Sequence, residues 1–184
     1  MLIVEGPDNS GKSTLIDRLK KRFPNVTVTH SGGPPQSDAE IRQRMNDLIY
    51  THQGTASILD RIPCISEAVY GPILRGQDFF KGSPALGRLI QARVPIIYCR
   101  PPNSVLCNLE THNVREGEKP EHVAKVVRHH ASIIAEYDRL FNSTPIPHLH
   151  YSWPSDANHH SWFDVLCLWL EEYWGRTAPQ SRLR

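Results

Sequence analysis

The sequence lacks a hydrophobic run long enough to cross a membrane. Its longest apolar stretch, Val165 to Leu170, falls far short of the roughly 20 residues that a membrane-spanning helix needs. The first residues, MLIVEGPDNSGKS, also lack the basic and apolar regions of a secretion signal. We therefore expect a cytoplasmic protein with no membrane contact.

Cysteine is scarce, and its few occurrences are scattered. The chain has four cysteines in 184 residues, and no two of them have the close CxxC spacing of a zinc or redox motif. They are Cys64, Cys99, Cys107 and Cys167. This pattern excludes a small secreted scaffold held by disulfides, and it predicts free thiols in a reducing compartment.

Neither sign of charge is in clear excess. The 21 basic and 19 acidic side chains leave a net charge of +2, which excludes a uniformly basic nucleic-acid coat but allows a local basic groove. The 39% hydrophobic content and the mean hydropathy of −0.43 are typical of a soluble folded domain. The length predicts one domain over residues 1–184, with a frayed tail at Gly175–Arg184.

Short β-branched runs alternate with longer segments of helical periodicity. This alternation predicts an α/β fold with a five-stranded, mostly parallel sheet flanked by helices. The predicted strands are Leu2–Glu5, Val26–His30, Ser57–Asp60, Pro95–Cys99 and Ile146–Tyr151. The predicted helices are Lys12–Arg22, Ala39–Thr51, Ser66–Arg75, Leu86–Gln91, Ser104–Thr111, Glu121–Phe141 and His160–Trp174. We interpret Trp162, Trp169 and Trp174 of the last helix as packing residues.

One motif directly follows the first predicted strand and directly precedes the first predicted helix. Residues 6–13 match GxxxxGK[ST] at every fixed position. In such a loop, converging backbone N–H groups hold phosphate oxygens, the lysine neutralises their charge, and the serine hydroxyl is a ligand for Mg²⁺. The motif predicts a nucleoside triphosphate site, here for ATP with Mg²⁺. Its residues are Gly6, Pro7, Asp8, Asn9, Ser10, Gly11, Lys12, Ser13 and Thr14.

A second motif, Asp60-Arg61, ends the third predicted strand. A parallel sheet delivers both residues to the edge where the phosphate loop lies. Asp60 can hold Mg²⁺ together with Ser13, or it can accept a proton from an acceptor hydroxyl, and both roles stay open. Arg61 can bind a phosphate or the transferring group. The other candidates for such a base are Glu67, Asp8 and His30.

Together, several motifs resemble those of thymidylate kinases. They are Glu5-Gly6-Pro7-Asp8, Gly11-Lys12-Ser13-Thr14, Gly32-Gly33, Asp60-Arg61, and Ser66, Ala68 and Tyr70-Gly71. The resemblance implies a P-loop nucleotide-kinase-like fold of three layers, with Asp8 at the acceptor sugar and Arg61 at the acceptor phosphate. The segments Thr29–Pro35 and Val69–Pro72 depart from the usual pattern. The acceptor region therefore differs from that of an ordinary thymidylate kinase.

The chain is more similar to a phage branch of this family that includes 5-hydroxymethyluracil DNA kinases. The shared segments are His30 to Pro35, Asp60 to Gly71, and Tyr98 to Pro102. This resemblance implies phosphorylation of the hydroxymethyl group in phage DNA, a step in thymidine hypermodification, in the host cytoplasm. A deoxynucleotide kinase acting on dTMP is the alternative, and a P-loop switch or binding module is a third. A homodimer is left open.

A lid is expected near residues 111–128, where it would exclude water from the phosphates. Within it, Arg115 is assigned to catalysis with Lys119 beside it, whereas Lys125 and Arg128 fit a solvated helix face. Arg100, which ends the fourth predicted strand, is expected at the ligand-bearing edge of the sheet. We interpret the pairs His129-His130 and His159-His160 as surface histidines, and we expect no zinc site at His148 and His150. Trp153–Asp156 is assigned to the adenine by its position alone.

Overall fold

Five parallel strands of four residues each form the sheet. The computed structural model describes residues 1–33, 37–52, 54–77, 84–101, 120–152 and 159–177. Its strands are β1 (Leu2–Glu5), β2 (Thr27–His30), β3 (Ser57–Asp60), β4 (Ile96–Cys99) and β5 (His148–Tyr151). Its helices are α1 (Lys12–Arg22), α2 (Asp38–His52), α3 (Pro63–Tyr70), a π-helix (Gly71–Arg75), α4 (Ala85–Gln91), α5 (Pro120–Ser143) and α6 (His159–Thr177).

The sheet has the strand order β2-β3-β1-β4-β5, and every neighbouring pair is parallel. The central strand β1 is paired with β3 on one side, where Val4 lies opposite Asp60, and with β4 on the other, where Glu5 lies opposite Tyr98. All residues of β1 and β4 are buried, as expected for strands covered on both faces. The predicted parallel α/β fold is confirmed.

Helices cover both faces of the sheet, and alternate residues of each strand point to opposite layers. Ile3 packs into a core with side chains of α2, α3, α4 and α5, whereas Leu2 and Val4 pack into a second core with α1 and α6. The result is the predicted three-layer arrangement. Within the described residues, no helix is long and apolar enough to cross a membrane.

One predicted helix differs from the structure in a way that matters for the cavity described below. The segment predicted as a single helix, Ser66–Arg75, belongs to α3, which begins earlier at Pro63, and to the π-helix that follows it. Pro72 has no N–H to donate to a preceding carbonyl, and such interruptions accompany a wider turn. The other helix and strand bounds agree within a few residues, and the predicted helix Ser104–Thr111 lies outside the described residues.

Helix α6 confirms the interpretation of Trp174 as a packing residue and corrects that of Trp169. Leu166, Leu170 and Trp174 are buried against the sheet. Trp169 is 37% exposed and stacks on Tyr173 with ring centroids 5.4 Å apart, so its interpretation as a packing residue was wrong. The described cysteines, Cys64, Cys99 and Cys167, are free and buried.

Candidate active site

A cavity of about 380 Å³ opens at the carboxyl edge of the sheet, beyond the ends of β1 and β3. Its wall contains the phosphate loop from Asp8 to Thr14, the segment Ser31–Gly33, Asp60 and Arg61, and side chains from α2, α3 and the π-helix. This volume lies within the range of about 300–1,000 Å³ that is usual for small-molecule sites. The structure therefore brings the two sequence motifs together in one cavity.

The phosphate loop is shaped by glycine where no side chain would fit. Gly6 has φ of 145°, and a Cβ atom there would lie only 2.2 Å from the carbonyl oxygen of Cys99. Gly11, with φ of 81°, directly precedes the first residue of α1. The loop thus turns tightly over β4 and presents the amino end of α1 to the cavity, where the helix dipole favours an anion. Gly6 and Pro7 lie behind the residues that line the cavity.

Lys12 is buried within its own loop. Its ammonium group donates to the carbonyl oxygens of Gly6 at 2.9 Å and Pro7 at 2.5 Å, and to the hydroxyl of Ser10 at 3.3 Å. Burial and the nearby charge of Arg61 lower the pKa of Lys12 to about 8, and the charges of Asp8 and Glu5 oppose that shift. Lys12 therefore lies at the cavity wall and loses its proton at a lower pH than an ordinary lysine does.

Arg61 and Asp8 form an ion pair across the cavity. The guanidinium lies 2.7 Å from the Asp8 carboxylate and 5.1 Å from the centre of the Tyr70 ring, while the Tyr70 hydroxyl also donates to Asp8 at 2.9 Å. Burial alone would raise the pKa of Asp8, but the charges of Arg61 and Lys12 and the hydrogen bond from Tyr70 lower it to about 2. Arg61 has φ of 69°, a strained conformation for a residue with a Cβ atom.

Beneath this pair lies the fully buried carboxylate of Glu5. Four groups donate to it: the backbone N–H of Gly6 at 3.1 Å, the N–H of Ile62 at 2.9 Å, and the hydroxyls of Ser66 at 3.1 Å and Tyr137 at 2.8 Å. Burial raises the pKa of Glu5, and the charge of Arg61 and these hydrogen bonds oppose that shift. Glu5 thereby joins the phosphate loop to α3 and α5.

Asp60 has two different oxygen environments. Its Oδ2 lies 2.8 Å from Nδ1 of His30, the last residue of the neighbouring strand β2. Its Oδ1 is buried and receives no hydrogen bond from the described residues. A buried carboxylate oxygen without a hydrogen bond needs a partner. Asp60 and Ser13 both line the cavity. The oxygen donors of these two residues fit a Mg²⁺ ion that also coordinates phosphate and water.

Several cavity residues were not found by sequence reasoning. Arg44 of α2 and Arg75 of the π-helix both line the cavity, as does His122 of α5. Arg75 is paired with the buried Glu67 of α3, and a Cβ atom at Gly71 would approach that carboxylate within 2.7 Å. Arg44 donates to the carbonyl of Gly33 at 2.6 Å and is paired with Glu40. These arginines line the same cavity as Arg61.

Arg100 lies where it was expected, whereas the expectation for His130 was wrong. Arg100 directly follows β4 at the carboxyl edge of the sheet, but its guanidinium is paired with Asp138 at 3.0 Å and it does not line the cavity. His130 is not a surface residue: it is buried, and its Nε2 lies 3.1 Å from the carbonyl oxygen of Asp8. The helical spacing of His130 from Val126 and Ile133, both buried in the core, could have revealed its position.

The remaining expectations concern His148 and His150 and several residues that the structure does not describe. Nε2 of His148 lies 3.1 Å from Nε2 of His150, and no group of three metal-ligating side chains occurs among the described residues. Arg115, Lys119 and Trp153–Asp156 lie outside the described residues, as do residues 111–119 of the expected lid and the side chains of His159 and His160.

Comparison with known proteins finds this architecture in solved structures but no similar sequence. No family model matches the chain, and no curated protein sequence matches it. Among solved structures, the YorR protein of Bacillus subtilis in complex with phosphorylated GDP matches with a TM-score of 0.69 and 17% identity, over 94% of this chain and 96% of that one.

Two further solved structures have the same architecture. The deoxyadenosine kinase of M. mycoides with bound dCTP matches with a TM-score of 0.53 and 14% identity, over 94% of this chain and 100% of that one. The thymidylate kinase of Candida albicans matches with a TM-score of 0.51 and 13% identity, over 95% of this chain and 90% of that one. At these identities the similarity establishes the fold, that of a P-loop nucleotide kinase.

Proposed function

We propose that the chain is an ATP- and Mg²⁺-dependent phosphotransferase that acts on a thymine-like pyrimidine acceptor. The observation that carries this proposal is a single cavity that holds a phosphate loop, Asp60 and the Asp8–Arg61 pair. A donor phosphate on the loop would face an acceptor held at that pair. The structural neighbours named as deoxyadenosine kinase and thymidylate kinase support the same reaction class.

On the donor side, the residues of this chain would bind and orient ATP. The backbone N–H groups at the start of α1 would hold phosphate oxygens, and the Lys12 ammonium would exchange its loop carbonyl partners for phosphate oxygens. Ser13 and Asp60 would hold Mg²⁺, which when bound neutralises charge on the phosphates. Asn9 and Thr14, which also line the cavity, complete the loop around them.

On the acceptor side, the pairing of Asp60 with His30 favours a hydroxyl as the group that is phosphorylated. A phosphate acceptor is already anionic and needs no base, whereas a hydroxyl benefits from one. The hydroxyl oxygen would form a bond to the γ-phosphorus, the bond from that phosphorus to the bridging oxygen of ADP would break, and the hydroxyl proton would pass to the Asp60 carboxylate. His30 is 74% exposed and can pass that proton to water.

The preferred acceptor is the hydroxymethyl group of 5-hydroxymethyluracil in phage DNA, as the sequence resemblance implies. The alternative is a deoxynucleotide such as dTMP. The guanidinium groups of Arg44, Arg61 and Arg75 favour that alternative, because they line the acceptor side of the cavity and can bind a phosphate. A phosphate of a DNA chain would meet the same guanidinium groups, so a direct assay must separate the two acceptors.

The test is transfer of label from γ-³²P-ATP in the presence of Mg²⁺. The acceptors are an oligonucleotide with one 5-hydroxymethyluracil, the same oligonucleotide with thymine, and free dTMP. We expect label on the first acceptor alone, and none with the Lys12→Ala variant. Label on dTMP alone would overturn the DNA acceptor and leave a kinase, and absence of both transfer and ATP binding would overturn the whole proposal.

A further inference from the structure

The first half of α5 carries a row of basic side chains that begins at the cavity. His122 lines the cavity, and Lys125, Arg128 and His129 follow at helical spacings of three and four. Residues with this spacing lie on one side of a helix. Glu121 is the one acidic residue between Pro120 and His130.

This row lies beside the buried face of α5 and is accessible to a partner. Val123, Val126 and His130 hold the helix against the core, and α5 packs against the π-helix that carries Arg75. Lys125 and Arg128 are both exposed. Since a helix rises about 1.5 Å per residue, the row runs for about 10 Å along α5 beside the cavity, from His122 in its wall to His129, which precedes the His130 that contacts Asp8.

Among the described residues, Lys125 and Arg128 have no carboxylate partner, in contrast to most of the arginines there. Eight arginines have a carboxylate partner: Arg22, Arg42, Arg44, Arg61, Arg75, Arg100, Arg139 and Arg176. Lys125 and Arg128 form no ion pair with the described residues. Two exposed cations that pair with none of the described carboxylates, on the helix that carries His122 to the cavity, can bind an anion without first breaking an internal pair.

We propose that His122, Lys125, Arg128 and His129 form a docking surface for the phosphodiester backbone of a nucleic-acid acceptor. The inference rests on the proposed function, in which the acceptor is a nucleic acid, and adds the residues that would hold its backbone outside the cavity. The phosphates of a free nucleotide end within the cavity. A polymer continues beyond the mouth, and about 10 Å of helix spans roughly three phosphates of one strand at 3.4 Å each.

Two other exposed cations without an ion pair to the described residues provide a matched control. Lys20 and Lys21 are exposed in the last turn of α1, a helix that begins at the phosphate loop and runs away from it. They therefore lie roughly 12 Å along the helix from the cavity. Replacing this pair removes the same charge from the protein as replacing Lys125 and Arg128, but at the opposite edge of the sheet.

The experiment measures DNA binding without ATP, by the fluorescence anisotropy of a labelled oligonucleotide with one 5-hydroxymethyluracil, between 50 and 200 mM KCl. The Lys125→Ala/Arg128→Ala variant should bind about tenfold or more weakly at 100 mM salt. Its slope of log K against log salt should fall by about 1.4 to 1.8, since each lost phosphate contact removes 0.7 to 0.9. The Lys20→Ala/Lys21→Ala variant should keep the slope and affinity of the original protein.

Equal slopes for the two double variants, or an original protein that does not bind the oligonucleotide, would overturn this surface. Label transfer tests the proposed function separately. In that assay the Lys125→Ala/Arg128→Ala variant should raise KM for the oligonucleotide and leave kcat unchanged, because neither side chain reaches the reacting atoms. A fall in kcat with an unchanged KM would contradict a docking role. Thermal unfolding of both double variants checks that their folds are intact.

Discussion

The guanidinium of Arg61 donates a hydrogen bond to the carboxylate of Asp8 at 2.7 Å, across 53 positions of sequence. Asp8 belongs to the loop after β1 and Arg61 directly follows β3, so this bond joins the two motifs of the cavity. The strained backbone of Arg61 is held by its own N–H, which donates to the carbonyl of Val4 at 2.9 Å. The loop and the strand end therefore form one unit, and a change of charge at Asp8 or Arg61 alters the pKa of Lys12.

The first prediction concerns the pH dependence of ATP binding. The pKa of Lys12 is lowered to about 8, so its ammonium is charged below that pH and loses its proton above it. Affinity for ATP should be constant from pH 6.5 to 7.5 and should fall above pH 8, because binding must then take up a proton. Isothermal titration calorimetry at pH 8.5 in buffers of different ionisation enthalpy measures that uptake, and Lys12→Met should abolish it. Constant affinity up to pH 9.5 would contradict this assignment.

A second prediction follows from the charge of Asp8, which raises the pKa of Lys12. Asp8→Asn removes that charge and leaves Arg61 beside Lys12 without its carboxylate partner. The pH above which ATP affinity falls should therefore move below 8. The same calorimetric series measures the shift, and Asp164→Asn, which changes an exposed residue of α6, should leave it in place. A midpoint that stays at 8 in Asp8→Asn would show that the two groups are not coupled.

Asp60 and His30 provide the third prediction. Asp60→Asn should lower kcat by about 10²- to 10⁴-fold, the usual contribution of a positioned base, and change ATP affinity much less. His30→Gln should lower kcat less. If the acceptor is a phosphate, His30→Gln should have no effect on kcat. Steady-state kinetics with the oligonucleotide and with dTMP distinguish these outcomes.

The fourth prediction concerns stability. Glu5→Ala leaves four buried donors without an acceptor, those of Gly6, Ile62, Ser66 and Tyr137. The free energy of unfolding should fall by about 3–5 kcal/mol, as when one partner of a buried charged network is removed. Urea denaturation measures it, and Asp164→Ala, at an exposed position, should change it by less than about 0.5 kcal/mol. A loss below 1 kcal/mol for Glu5→Ala would mean that water replaces the carboxylate.

The sequence sufficed for the sheet and the phosphate loop because both depend on local signals. Four apolar residues before Gly6 define β1, and the spacing of Gly11 and Lys12 defines the loop after it. The fold class follows from the alternation of strands and helices. These features need no knowledge of which distant residues meet.

The acceptor side of the cavity could not be predicted in the same way. Arg44 and Arg75 lie on separate helical segments, and no local pattern distinguishes them from the arginines that pair elsewhere on the surface. Arg100 shows the converse, because Asp138 binds it from 38 positions along the chain. Contacts between distant side chains decide which cations face the cavity, and a single sequence does not contain them. His130 is different, since its helical spacing carried the necessary signal.

The π-helix at Gly71–Arg75 makes the length of this segment as important as its composition. Within such a segment, removing one residue turns the side chains that follow it by roughly a quarter of a turn about the axis. A deletion of Ile73 would therefore turn the Arg75 side chain away from the cavity and from Glu67, although every chemical group of the site would still be present in the chain. At this position, insertions and deletions should alter acceptor binding more severely than most substitutions.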